Sequence, residues 1–387
     1  MSRDDLITSA LGRFVKVGSL AGRVGASMLG QQSVGLLRDG PVRQLKKNEN
    51  IVRNSMRITE KLGEMKGGAM KVGQMLSLHE GLLPPEVSAV LSKLQKEAPA
   101  VPFEKMKRKL RRAIPDYDAL FASLDPEAFA AASIGQVHRG VLRDGREVAV
   151  KIQYPNADRM VRADLKNLKA LLGSLMALFT DIEFEPIWGE VRARLVEELD
   201  YEHEAQNIRR MGEMQANYPE IIVPVVIPEA SSKGVLTMSF VEGIPPAQAI
   251  SDAYPQELKD RWGRALFEFT LRGLFEHRFL HADPNFANYA FREDGSLVVY
   301  DHGCMKAIPE TLAEQYRQVL ATLIEGDLDA LPMRLFEMGI YQRKCNQPLS
   351  REVLDPLARE ALDIVGHEPF GFSNESEIYE GIFDVKG

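Results

Sequence analysis

Cysteine is nearly absent: the chain of 387 residues has 2, Cys304 and Cys345. They show no metal-ligand spacing and cannot staple a framework, so a reducing compartment is expected. Long apolar runs are missing too. The longest candidate, Ala170-Leu-Leu-Gly-Ser-Leu-Met-Ala-Leu-Phe179, falls well short of the about 20 residues a spanning helix needs. The profile of a signal peptide is also lacking, because Asp4 and Asp5 come early and Arg13 and Lys16 interrupt the apolar positions. The expectation is a cytoplasmic protein, soluble or peripheral to a membrane. Aromatic residues are not interleaved with the basic ones of the N-terminal part, which removes the stacking that single-stranded nucleic acid requires. Nucleic acid is not an expected partner.

What is present is an ordinary globular composition, 45% apolar and 27% charged, at a length that suits two or three units with cores of their own. The net charge of −7 hides an asymmetry: residues 1–112 hold 21 Lys/Arg against 10 Asp/Glu, or +11, which leaves −18 for the rest. Such a basic part reads first as a helical extension paired with its own acidic body, and second as a surface for an anionic membrane. Leu11, Phe14, Val15 and Leu20 share one helical face, although nearby glycines weaken that helix.

Helical periodicity runs from Ile51 to Leu78, again from Pro85 to Lys96, and in a basic segment from Phe103 to Ile114. At Ala130 the period changes. Gln136–Leu142 and Glu147–Gln153 are rich in β-branched residues and joined by Arg143-Asp144-Gly145, a hairpin turn. Val148, Val150 and Ile152 then face one way, Ala149 and Lys151 the other. Residues 158–180 and 187–215 read as long helices, Ile221–Ile227 and Val235–Val241 as strands. From Glu257 the pattern is helical around a hairpin at Ala290–Tyr300 that turns at Asp294-Gly295. The expected class is α+β: a helical extension over 1–113, a β-rich lobe over 114–241 and a helical lobe over 242–387, with a ligand cleft between lobes.

The sharpest stretch is His281-Ala-Asp283-Pro-Asn-Phe-Ala-Asn288, followed by a strand ending in Asp301-His-Gly303. Phosphoryl transfer needs such a set: one carboxylate to accept a hydroxyl proton, an amide oxygen and a second carboxylate to hold Mg²⁺ against phosphates. A zinc site at His277 and His281 lacks the glutamate that an HExxH pair requires. Lys151 in Val148-Ala-Val-Lys151 would neutralise nucleotide phosphates and needs a carboxylate to hold it. The segment Glu197-Glu-Leu-Asp-Tyr-Glu-His-Glu204 offers several, and Glu197 and Glu202 read as solvated. Met238-Ser-Phe240 fits a hinge whose backbone meets an adenine edge.

A phosphate loop before such a lysine is normally glycine-rich. Here glycine is scarce and the stretch reads Phe129-Ala-Ala-Ala-Ser-Ile-Gly-Gln-Val-His138. Ala131, Ala132 and Ser133 would still cradle a nucleotide through their N–H groups. Alanine restricts and crowds the loop, which biases it away from transfer onto a protein hydroxyl.

Together with Lys71-Val-Gly-Gln74, Leu82-Leu-Pro84, Leu91-Ser-Lys-Leu-Gln95 and Glu198-Leu-Asp200, these motifs resemble the UbiB/AarF group of atypical kinases, from about Lys61 to about Ile308. The resemblance implies a two-lobed protein-kinase-like fold with an N-terminal helical extension. It implies that Glu204 partners Lys151, that Asp283 is the catalytic-loop aspartate, and that Asn288 and Asp301 are metal ligands. It implies that Lys71 and Gln74 lie on a KxGQ helix that restricts protein substrates, faced by Glu198 and Asp200, with Lys71–Glu198 as an ion pair. Two positions depart from the pattern: His302 stands where kinases usually have Phe, and Pro-Asn-Phe-Ala replaces the His-Pro-Gly of many relatives.

The expected function is that of an ATP- and Mg²⁺-dependent atypical kinase or ATPase. Its expected partners are ATP, a lipid or quinone-precursor small molecule and a peripheral membrane contact. Service in isoprenoid-quinone (ubiquinone) biosynthesis follows from the resemblance only. The alternatives are a small-molecule kinase of the aminoglycoside or choline type and a nucleotide-gated scaffold without turnover.

Overall fold

The computed structural model of the chain describes residues 101–132, 134–162, 165–166, 169, 184–283 and 285–340, with 348, 351, 354, 355 and 358 beyond them. The helices expected before residue 100, with Lys71 and Gln74, lie outside the described residues, and so does Ser133. The described chain sorts into two units: one ends at Gln206 and takes in Val225–Phe240, the other holds Asn207–Pro224 and the chain from Val241. No described helix is long and apolar enough to cross a membrane.

The first unit is organised by a hairpin. Strands β1 (Phe121–Ala132), β2 (Gly135–Leu142), β3 (Glu147–Gln153) and β5 (Val235–Ser239) form an antiparallel sheet in the order β1-β2-β3-β5. The β2–β3 turn falls where Arg143-Asp144-Gly145 predicts it. Gly145 takes φ +90°, which a side chain would strain, and the Asp144 carboxylate accepts the Arg146 N–H at 3.0 Å. Strand β1 has no signature in the sequence. Its pairing with β2 is irregular at three places, so no clean alternation marks it.

Val148, Val150 and Ile152 share one buried cluster with Met106 and Leu110 of helix α1 (Phe103–Ala113). The i, i+4 pair Met106 and Leu110 makes the apolar stripe, while Lys105, Arg108, Arg111 and Arg112 stay exposed. Each fully buried side chain of this size contributes roughly 1.5–3 kcal/mol. The helix read over 187–215 is two, α2 (Phe184–Glu197) and α3 (Tyr201–Met214), because Asp200 starts a new helix by capping it.

In the second unit, helix α4 (Gln256–Phe275) buries Leu258, Trp262, Ala265 and Phe269 along one face. They pack with Phe279, Tyr289, Phe291, Leu297 and Val299 from short strands. Strand β4 (Ile221–Ile222) runs parallel to β8 (Leu297–Val299), and β8 pairs antiparallel with β7 (Tyr289–Phe291). Strands β6 (Phe279–His281) and β9 (Met305–Ala307) form a separate antiparallel pair. The strand expected over Ile221–Ile227 is thus divided: Ile221–Ile222 pairs in this unit, whereas Val226 bridges Met238 in the first. Helices α5 (Glu310–Ile324) and α6 (Leu331–Glu337) follow.

Candidate functional site

In the first unit, β3 carries Lys151 on the face opposite the core cluster. Its Nζ lies 2.7 and 2.9 Å from the carboxylate oxygens of Glu204 in the first turn of α3. Both residues are buried, and the ammonium stands 5.1 Å from the centroid of the Tyr201 ring. Of the acidic residues of this segment, Glu204 hydrogen-bonds Lys151, while Glu202 is exposed. Asp200 serves the helix itself. Its Oδ1 accepts the N–H groups of Glu202 and His203 at 3.1 and 3.2 Å, capping the helix that presents Glu204. Glu198 is half-buried in the link between the two helices.

The alanine stretch is less of a loop than its composition suggests. Ala130, Ala131 and Ala132 are the paired end of β1, opposite Val137, Gln136 and Gly135. The glycine in this segment serves strand packing: a Cβ on Gly135 would lie 2.4 Å from the Ile152 carbonyl oxygen. At the expected hinge, Met238 opposes Ala149 in the β3–β5 ladder. The Ser239 and Phe240 N–H groups already donate to Val225 and Glu147 carbonyls, at 2.8 and 3.0 Å. Those two positions have no spare amide donor for a base edge.

In the second unit, pairing of β6 with β9 draws the loop after His281 and the loop before Met305 to one end. Ala282 N–H donates to the Cys304 carbonyl at 2.8 Å, and Tyr300 N–H to that of Asn288 at 2.9 Å. Asp283, Asn288 and Asp301 are therefore brought together. Asp283 Oδ1 accepts the Asn285 N–H at 3.2 Å, and Asn285 Oδ1 accepts the Ala287 N–H at 3.0 Å, which folds Phe286–Asn288 into a 3₁₀ turn. The Asn288 amide nitrogen donates to the Asp283 carbonyl at 3.4 Å. Asp301 Oδ1 accepts the Gly303 N–H at 2.9 Å.

Three residues of this unit escaped the sequence reading as contributors. His281 bonds the Asp301 carbonyl through Nε2 at 2.6 Å, so Nε2 carries the proton and Nδ1 accepts from the Asp283 N–H and the Tyr289 hydroxyl. It ties both aspartate loops together. It is the last residue of β6, past the end of α4, so its spacing of four from His277 has no helical meaning. Asn207 is buried and donates to the His302 carbonyl at 2.9 Å, holding the backbone next to Asp301. Burial and the Asp283 charge push the Tyr289 phenol up, so it stays a neutral donor. The histidine is visible in the motif, but its role depends on a backbone contact 20 residues away.

The donor chemistry fits Mg·ATP. Asp301 offers a carboxylate, and Asn288, with its nitrogen turned to Asp283, offers an amide oxygen that accepts no hydrogen bond among the described residues. Mg²⁺ takes one or two such ligands and completes its shell with phosphates and water. The described residues contain no cluster of three or more His, Cys, Asp or Glu around one point, as an all-protein cage would need. Lys151 is a desolvated point charge held by the Glu204 carboxylate, as a phosphate-binding lysine requires.

Residues 93–333 match the family description "ABC1 atypical kinase-like domain". The chain is 33% identical over 325 residues to atypical kinase COQ8B, mitochondrial, of Rattus norvegicus, covering 83% of this chain and 61% of that one. It is 30% identical over 330 residues to atypical kinase coq-8, mitochondrial, of Caenorhabditis elegans, covering 83% and 43%. The chain thus spans about half the length of the curated relatives it matches. The solved Rv3197–erythromycin complex from Mycobacterium tuberculosis matches with a TM-score of 0.60 at 32% identity, over 79% of this chain and 78% of that one. The α+β, protein-kinase-like fold expected from the sequence is borne out.

Proposed function

The chain belongs to the ABC1 atypical kinase-like family, the UbiB/AarF group its motifs resemble, and on that premise we propose that it binds Mg·ATP and transfers the γ-phosphoryl group to water or a small molecule. The observation that carries this reading is the buried Lys151–Glu204 pair, a cation fixed by a carboxylate on the sheet face opposite the core cluster. Lys151 takes the phosphate charge and Glu204 holds it in place. Asp283, oriented by the Asn285 N–H, accepts the proton of the attacking hydroxyl or water. Asn288 and Asp301 hold the metal. Bound Mg²⁺ would supply neutralisation of phosphate charge. Ala131 and Ala132 border the phosphates and Met238 and Phe240 the base. From the motif resemblance alone, we also propose that Lys71, Gln74, Glu198 and Asp200 act together to restrict protein substrates.

The family names of the relatives and the motif resemblance support service in ubiquinone biosynthesis, with a lipid or quinone-precursor phenol as acceptor and an anionic membrane as a peripheral partner. The test is phosphate release and acceptor phosphorylation by the full chain, with and without anionic liposomes and such phenols. Asp283→Asn should abolish turnover while Mg·ATP still raises the melting temperature. Turnover that survives Asp283→Asn would remove the proposed base. ATP binding without turnover under every condition would establish a nucleotide-gated scaffold.

A further inference from the structure

Phe129 opens the alanine stretch with a large aromatic side chain that is 54% exposed. The pairing of β1 with β2 slips between Ala128 and Ala130, so Phe129 lies at a strand irregularity, a device that re-aims side chains. Its ring meets that of Phe240 edge-on, 5.7 Å between centroids at 84°. Arg139 covers Phe240 with its guanidinium carbon 4.3 Å from the ring centroid, and Glu147 holds Arg139 at 2.9 Å.

The register shows which face this cluster occupies, because directly opposed residues share a face. Arg139, Ala149 and Met238 form one row, and Val137, Lys151 and Leu236 form the next. Phe240 follows Met238 by two and returns to the same side. Phe240 therefore ends the face that carries Lys151, about 13 Å along the strand from Leu236 of the Lys151 row at ~3.3 Å per residue, and the Phe129 ring reaches it from β1. That is the order of length over which a nucleoside triphosphate separates its base from its phosphates.

We propose that Phe129 is a base-positioning residue, backed by the Arg139–Phe240 pair, whose ring packs on the heterocycle of the nucleotide whose phosphates Lys151 takes; the proposal rests on the nucleotide reading above. It accounts for a segment without phosphate-loop glycines. The alanines are strand, the Ser239 and Phe240 amide donors are spent, and the same segment offers a ring in place of a backbone cradle. Stacking also ranks the ligands: a purine covers more of the ring than a pyrimidine.

The test is calorimetric titration of wild type, Phe129→Ala, Phe129→Leu and Phe129→Trp with Mg·ATP and with Mg·tripolyphosphate, which has no base. The Ala and Leu variants should bind ATP about tenfold more weakly with tripolyphosphate unchanged, and Trp should retain ATP. Leu carries the expectation alone if Ala fails to fold. Wild-type ATP affinity in the Ala and Leu variants would overturn the proposal and leave the nucleotide reading standing. Tighter ATP binding would make Phe129 an obstruction, and equal loss of both ligands would make it scaffolding; either overturns the proposal. If the wild type bound tripolyphosphate but not ATP, or neither, the nucleotide reading itself would fall.

Discussion

Lys151 and Glu204, 53 residues apart, meet through two hydrogen bonds of 2.7 and 2.9 Å, with both side chains buried. Removing one partner leaves the other charge in a site built for a pair, which costs about 3–5 kcal/mol. Lys151→Ala should therefore lower the urea midpoint by that equivalent, and Lys151→Met combined with Glu204→Leu should recover much of it. Both variants should lose the thermal shift that Mg·ATP gives the wild type. A single mutant that unfolds at the wild-type midpoint would mean that the pair adds nothing to the fold.

Asp200 separates capping from charge. Its Oδ1 holds the first turn of the helix that carries Glu204. Asp200→Ala should cost about 1 kcal/mol, and Asp200→Asn, which caps as well, should cost little. If both variants lose ATP turnover equally while only Ala is destabilised, the carboxylate charge is the functional part. If Asn behaves as wild type in both urea melts and turnover, the cap is the whole contribution.

The two hairpins are legible because Asp144-Gly145 and Asp294-Gly295 are local signals, and the Asp283–Asn288 turn closes on itself within six positions. Helix α1 is legible from Met106 and Leu110. Features set by distant pairing are not. Strand β1 contains Pro126 and three register slips, and only β2 makes it a strand. The run at 221–227 looks continuous, but its ends pair with different sheets. The part played by His281 depends on the Asp301 carbonyl, which no spacing rule reaches.

Lys109 gives a pH signature. Its ammonium donates to the Tyr154 carbonyl at 3.1 Å, and burial lowers its pKa from 10.5 to about 8. Between these values the unfolded chain keeps a proton that the folded chain has lost, so stability gains a rising contribution as pH climbs from about 8 to 10.5. Below pH 8 that contribution is absent. Lys109→Met removes the titrating group, so the stability difference between wild type and variant should shift in favour of the wild type across this interval. Urea melts at about pH 7.5, 9 and 10.5 on both proteins would show it; parallel curves would place the amine in solvent.

Ala132 is the last residue of β1 and opposes Gly135, where a Cβ would stand 2.4 Å from the Ile152 carbonyl oxygen. The glycine already in the segment is therefore committed to strand packing and cannot provide the freedom of a phosphate loop. Ala132→Gly adds that freedom one strand-end earlier, where a few tenths to about 1 kcal/mol of stability is the expected cost. The loosened end should approach phosphate more closely, change ATP affinity and allow transfer onto the protein's own hydroxyls. Calorimetry, with intact-mass measurement after incubation with Mg·ATP, reads both effects. A variant that matches wild type in affinity and stays unmodified would show that the alanines do not set the choice of acceptor, and that the choice lies with the groups around Asp283.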